Sequence, residues 1–314
     1  MKRFLSFLAL AAVVCGFAAC GGNDGNVPEQ AVVPNYDDPN AVIINPVSKY
    51  GMMPGKFKVD DNGTYVQFSQ GNLQYYNDWD KTKTKWRFAN RQWEVLGYAN
   101  INTTGWHEFF YWGTGDQPMK TKVNIAPGAY AEWGYNRIEN GTNQPNYWRT
   151  LSKEEWYYIF HKRPNASKRC GLGNINGVNG LILLPDNWVP VFNEELPGFV
   201  TCLDRFTIAD VQKPYKYSDA TTPDKNHFLD NTYSEAQWLM MEAMGAIFLP
   251  AAGFRFAGDI SVTYLNTLGG YWSSSGDEIY GYQTRFDKNS ISTGQENMQK
   301  GLIAGSVRVV RNAD

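Results

Sequence analysis

The sequence predicts an α+β fold with two main helices, short twisted antiparallel strands and many loops. Three observations carry that expectation. Only two stretches join a helix-start signal to apolar residues at helical spacing. Short apolar or alternating runs bounded by Gly, Pro, Asn and Asp recur along the body, and four of them follow the second helix and finish the chain. Tyr, Trp and Phe make 15% of the residues and Gly numbers 30, which suits small strands that need much apolar area per residue and turns that need positive φ.

Around the turn Asp60-Asp61-Asn62-Gly63, residues 56–67 read as a β-hairpin, because Asn-Gly tolerates the positive φ of a tight turn. Ser152-Lys153-Glu154-Glu155 is a capping-box pattern ahead of Trp156, Ile159 and Phe160, and predicts the first helix. Asn174 to Pro185 reads as a second hairpin whose later arm, Leu181-Ile182-Leu183-Leu184, is a buried strand ended by Pro. Ser234-Glu235-Ala236-Gln237 repeats the start signal before Trp238, Met241 and Met244, with Gly245 as the stop. The Met spacing matches one buried stripe, so those residues are expected in the core. Closing strands are expected at Ala246–Pro250, Gly270–Ser275, Tyr280–Phe286 and Ser306–Val310.

The start of the chain specifies a compartment. Met1-Lys2-Arg3 leads an apolar run from Phe4 to Val14, closed by Phe17-Ala18-Ala19-Cys20-Gly21-Gly22. A basic start, a run too short for a bilayer and small residues before a cut make a secretion signal. Cys20 after Ala18-Ala19 resembles the bacterial lipobox, with Phe17 where Leu is usual. That resemblance implies a signal peptide over residues 1–19 and a diacylated Cys20 as the new N-terminus; an ordinary secretory signal cut nearby is the alternative. Gly21 matches the sorting pattern of outer-membrane lipoproteins, facing either the cell surface or the periplasm. Residues 20–48 have no apolar periodicity and read as a flexible tether, and residues 49–314 as a single domain. Membrane contact is expected through the lipid alone.

A net charge of −2 with no block of like charge argues against nucleic acid or an anionic membrane surface as partner. Beyond Cys15 and Cys20 the cysteines are Cys170 and Cys202, and an exported body permits a disulfide between them, worth about 3 to 4 kcal/mol on loop-entropy grounds. Free buried thiols are the alternative. Neither a CxxC nor a Cys/His set with zinc spacing is present, so no metal site of that kind and no cofactor is expected.

A series of motifs runs through the body in order: Phe68-Ser69-Gln70-Gly71-Asn72-Leu73, Trp86-Arg87-Phe88-Ala89, Trp112-Gly113-Thr114-Gly115, Trp148-Arg149-Thr150-Leu151, Leu184-Pro185-Asp186-Asn187-Trp188, Phe248-Leu249-Pro250-Ala251-Ala252-Gly253-Phe254-Arg255, Gly270-Tyr271-Trp272-Ser273-Ser274-Ser275 and Gly305-Ser306-Val307-Arg308. This series resembles the FISUMP, or major paralogous domain, family of bacterial surface lipoproteins. The resemblance implies a C-type-lectin-like architecture in the C-terminal half, shared with retroelement-diversified ligand-binding proteins and formylglycine-generating enzymes. It names no ligand.

Most motif residues read as scaffold. Trp148, Trp188, Phe248 and Trp272 sit in apolar contexts, and Arg308, flanked by Val307 and Val309 on a strand, points to the opposite face and can clamp a carbonyl or carboxylate. The candidate ligand-binding residues follow the Trp-Ser-Ser block: Ser274, Ser275, Asp277, Tyr280, Tyr282 and Arg285. The resemblance places a variable ligand surface on such C-terminal strands and loops. Tyr280 and Tyr282 lie two apart and share a face, giving an aromatic platform with hydroxyl handles, while Arg285 falls on the other face of a regular strand. A solvated sheet face is the alternative.

Catalytic readings gain little. Gln144-Pro145-Asn146 lies before the first helix, away from where a calcium-dependent sugar loop would place it. No cysteine follows Cys202, which argues against formylglycine chemistry. His107, His161 and His227 come without a Gly-x-Ser-x-Gly elbow, and His161 at a helix end suits a structural role. A pair of carboxylates for glycan hydrolysis is a remaining alternative. The expectation is a non-enzymatic, lipid-anchored surface protein that binds a glycan or a protein, with a structural or tip subunit of a surface assembly as the second reading.

Overall fold

The structure is a computed structural model and describes residues 35–36, 38–78, 85–97, 103–116, 129–190, 193–201, 215–216 and 225–313. Among these residues it contains eighteen strands in five sheets and two α-helices. The expected α+β, C-type-lectin-like class built on two main helices is therefore corrected: the fold is mostly β. The helices α1 (Lys153–His161) and α2 (Glu235–Ala243) are nine residues each and pad the sheets without forming a layer of their own. Their capping boxes made them prominent in the sequence. Two-residue strands, by contrast, are too short to show a period.

The first sheet has the order β1 (Phe57–Lys58), β2 (Tyr65–Phe68), β18 (Val309–Asn312) and β7 (Arg149–Thr150), so the end of the chain closes onto its first hairpin. The second runs β10 (Tyr215–Lys216), β16 (Ser290–Gln299), β15 (Tyr280–Asp287), β14 (Leu268–Gly276). The third runs β11 (Thr232–Tyr233), β8 (Cys170–Ile175), β9 (Val178–Leu183), β12 (Ile247–Pro250), with β11 and β8 parallel. Two three-stranded sheets complete it: β13 (Arg255–Phe256), β17 (Ile303–Gly305), β6 (Phe110–Tyr111), and β4 (Lys85–Phe88), β3 (Leu73–Asn77), β5 (Gly105–His107). The β8–β9 hairpin turns through Asn176 and Gly177, both at positive φ, as Asn-Gly allows.

Side chains from different sheets meet in shared cores. Phe57, Phe68, Trp156, Leu181, Leu249, Tyr271 and Val310 form one cluster. A second is built of rings, including Tyr75, Trp86, Phe110, Trp133, Trp148 and Trp272. Trp188, Trp238, Met241 and Phe248 lie in a third. The residues expected as scaffold are thus buried together. Arg308 is fully buried and donates to Gln92 Oε1 at 2.7 Å and Asn72 Oδ1 at 3.4 Å, so it clamps side-chain amides rather than a carbonyl of the backbone.

Residues 38–48, within the stretch that reads as tether, are docked on the body. Arg87 donates to the carbonyls of Pro39 (3.2 Å) and Ala41, and Gln70 and Asn140 both donate to Ile43 O, at 2.8 and 2.9 Å. Among the described residues no helix is long and apolar enough to cross a membrane.

Candidate functional site

The β14–β15 hairpin is fixed from below by two tryptophans. Trp272 donates its indole N–H to Phe110 O at 2.7 Å, and Trp112 donates to Ser273 O at 3.0 Å. Trp112 lies so close to the hairpin that a Cβ on Gly276 or Gly281 would stand 2.6 or 2.5 Å from its ring, which is why glycine occupies both positions. The β14–β15 register shifts between Trp272 and Gly276. Ser273 compensates there: its hydroxyl donates to Tyr282 O at 3.0 Å and accepts from Ser275 N at 3.3 Å.

The six residues singled out from sequence divide into groups. Ser274 N donates to Leu151 O at 2.9 Å and splices the hairpin to the start of α1. Ser275 Oγ accepts from Lys153 N at 3.0 Å and donates to Glu154 Oε2 at 3.4 Å, acting on the first turn of α1. Asp277 organises the hairpin tip. Its Oδ1 accepts from Ile279 N (2.9 Å) and Tyr280 N (2.7 Å), and its Oδ2 accepts from the Tyr282 hydroxyl at 3.0 Å. These bonds, the one from Tyr280 N first, hold its carboxyl below the usual carboxylate range. Burial, with the Asp277 charge added, raises the Tyr282 phenol.

Tyr280 and Tyr282 do share a strand face, but the platform they make is partly covered. The Lys153 ammonium lies 4.3 Å from the Tyr282 ring centroid. On the opposite face Gly281 meets Trp112, Gln283 approaches Gly305, and the Arg285 guanidinium lies 5.6 Å from the Phe254 ring centroid. The β15–β16 register shift between Gln283 and Arg285 puts extra residues in β16, leaving β15 regular against β14. Arg285 is therefore separated from the two tyrosines.

The structure adds residues that the sequence reading did not single out. Lys300 contacts Asp277 O through Nζ, donates its own N–H to Ile279 O at 3.0 Å and stands 4.1 Å from the Trp112 ring centroid. Two residues on, Leu302 O accepts from Ala257 N at 2.7 Å, and Ile303 pairs with Phe256. The β16–β17 turn thus joins the hairpin tip to the loop after β13, forming one continuous rim. Along it Phe256, Ile260, Tyr264, Ile279 and Leu302 are 41%, 51%, 54%, 54% and 48% exposed. Tyr264 has φ +61, a conformation that a bulky residue adopts only when its surroundings impose it. They do so here: Phe254 and Thr263 exchange backbone bonds at 3.1 and 2.8 Å, and Asn266 is tied to Asn179 at 2.7 and 2.9 Å. Phe254 and Phe256, two apart around the start of β13, were the available sequence signal.

The buried titratable groups of the body are held in separate polar contacts. Glu108 is buried and accepts from Asn72 Nδ2 at 2.6 Å and Ser306 Oγ at 3.3 Å, both on Oε1. Burial pushes its carboxyl up to about 7. Glu242 is likewise raised by burial and accepts from Gln92 Nε2 at 2.9 Å. His107 rests on Thr103 O at 2.9 Å, His227 pairs with Asp230 at 2.8 Å, and His161, stacked on Tyr157 at 4.3 Å, is lowered to about 4 by burial. At the end of α1 His161 is accordingly neutral near pH 7, so any favourable effect on the helix end is that of a polar ring rather than a cation. Among the described residues no group of three or more His, Cys, Asp or Glu could hold a metal ion. Cys170 is disulfide-bonded, while Cys202 and the expected lipidation residue Cys20 lie outside the described residues. Comparison with known proteins gave no match, whether to a family model, a curated protein or a solved structure, so the functional reading rests on the geometry of the rim.

Proposed function

We propose that this chain is a lipid-anchored, non-enzymatic protein of the outer membrane that binds an extracellular glycan or protein through the rim built by the loop after β13, the β14–β15 tip and the β16–β17 turn. The anchor is Cys20, and the FISUMP resemblance of the motif series is consistent with a surface location. The observation that carries the binding role is the concentration of exposed Phe256, Ile260, Tyr264, Ile279 and Leu302 on a hairpin tip held by buried tryptophans and on a loop held by the Phe254–Thr263 and Asn179–Asn266 bonds. Large apolar side chains gathered on a rigid rim, beside a few polar groups, are what a recognition surface requires. Tyr280 and Asp277 extend the rim, whereas Ser275 and Tyr282 shape it through α1.

The test is a glycan and protein array probed with the full chain in detergent, with calcium and with chelator. Saturable binding that falls at least fivefold in Phe256→Ser/Leu302→Ser, with unchanged thermal melting, supports the reading. A blank array together with stable co-purification of partner subunits would transfer the chain to the assembly-subunit class. Cleavage of an arrayed glycan would make it an enzyme. Labelling with a radioactive fatty acid that Cys20→Ser abolishes tests the anchor.

A further inference from the structure

Resting on that reading of the rim, the geometry points to a ligand class for its Arg285 end: a sugar bearing a carboxylate, as in an acidic glycan. Arg285 is partly exposed, and the side-chain hydrogen bond it makes among the described residues goes to a soft acceptor, Met298 Sδ, at 3.7 Å. Among the residues whose side chains are described, no carboxylate stands within ion-pair distance of it. Among the described residues Arg137, Arg255, Arg308 and Arg311 share that lack, whereas other arginines are paired. Arg87 meets Glu94 at 3.1 Å, Arg149 meets Glu155 at 2.7 Å and Arg163 meets Asp186 at 3.3 Å. The Arg285 guanidinium carbon instead stands 5.6 Å from the Phe254 ring centroid, a cation–π contact that consumes none of its N–H donors and leaves them for whatever approaches from the rim. A carboxylate accepts two parallel bonds from such a fork.

The surroundings specify the rest of the ligand. Phe256 and Tyr264 flank Phe254 with ring centroids 5.1 and 5.4 Å away, and both expose more than two fifths of their surface. Tyr264 is held by a backbone that carries positive φ, so its ring is presented without a large ordering cost on binding. Fixed ring faces beside one cation fit a rigid pyranose with apolar C–H faces and a single acidic substituent. An acidic peptide brings a flexible backbone that must be ordered on binding, whereas a pyranose arrives rigid and matches the fixed rings at a lower ordering cost. Neutral sugars would use the rings and leave the guanidinium unmatched.

The experiment is isothermal titration of the full chain in detergent with trigalacturonic acid, its methyl ester, sialyllactose and lactose. We expect an acidic sugar to bind about tenfold or more tightly than its neutral counterpart, and Arg285→Gln to erase that difference with unchanged thermal melting. Phe256→Ser/Tyr264→Ser should weaken acid and ester alike. The uronate and sialate arms distinguish the two sources of carboxylate. Equal affinity for acid and ester, or an Arg285→Gln protein that keeps the preference, would overturn the inference. If a neutral glycan or a protein binds the rim without acid preference, the inference fails and the binding role stands; if acidic and neutral glycans and proteins all fail to bind, both fall.

Discussion

Glu108 makes the stability of this protein depend on pH in a direction that can be worked out in advance. Its carboxyl is buried, with a folded-state value of about 7 against the ordinary 4.5, because burial disfavours the charged form and Glu94 adds repulsion, against the opposing bond from Asn72. A carboxyl raised on folding adds stability that is fully present below the unfolded value and is lost as pH rises towards and through the folded value. Between pH 5 and pH 8 the loss from this one group is about 2.5 kcal/mol. Glu108→Gln retains the Oε1 acceptor for Asn72 and Ser306 and cannot ionise. Urea unfolding followed by tryptophan fluorescence should show the native protein losing about 2.5 kcal/mol more than the variant across that range. Glu242 is raised in the same direction and contributes to both proteins, so the comparison isolates Glu108. Parallel losses in the two proteins would show that Glu108 is hydrated or paired and would refute the reasoning.

Other substitutions probe the scaffold of the rim. Gly281→Ala places a methyl 2.5 Å from Trp112 and should cost about 1 to 3 kcal/mol by overpacking, with a shift in indole fluorescence as Trp112 moves; unchanged unfolding would mean the hairpin is loosely seated. Trp272→Ala removes a fully buried ring and its bond to Phe110 O and should cost about 3 to 5 kcal/mol or prevent folding, read by urea unfolding and soluble yield. Ser152→Ala removes the cap of α1 and should cost about 1 kcal/mol in the same assay. Tyr282→Phe deletes the 3.0 Å bond to Asp277, and the Asp277 carboxyl should move towards its ordinary value in a carbon-13 NMR titration while melting changes little.

Where the chain announces its structure, it does so through neighbours in sequence. The Asn-Gly turns of the β1–β2 and β8–β9 hairpins and the reciprocal Ser152–Glu155 and Ser234–Gln237 caps are decided within a few residues, and all were readable. The fold class was not, because strands such as β7, β13 and β17 are two or three residues long and exist only through partners far along the chain. β16 escaped for another reason: Ser290 to Gln299 is almost wholly polar, with no alternation to mark a strand. The same division runs through the rim. Period two correctly set Tyr280 and Tyr282 apart from Arg285, since side-chain direction along one strand is a local property. The covering of Tyr282 by Lys153, 129 positions away, and the pressure of Trp112 on Gly276 and Gly281 arise only when the chain closes. That closure changes the chemistry of the surface. It turns Ser275 and Tyr282 towards α1, and it leaves Arg285, with no carboxylate to meet it among the residues whose side chains are described, beside the Phe254 ring that Phe256 and Tyr264 flank, so the residue that sequence alone had set apart from the tyrosine platform becomes the cation of the ring cluster.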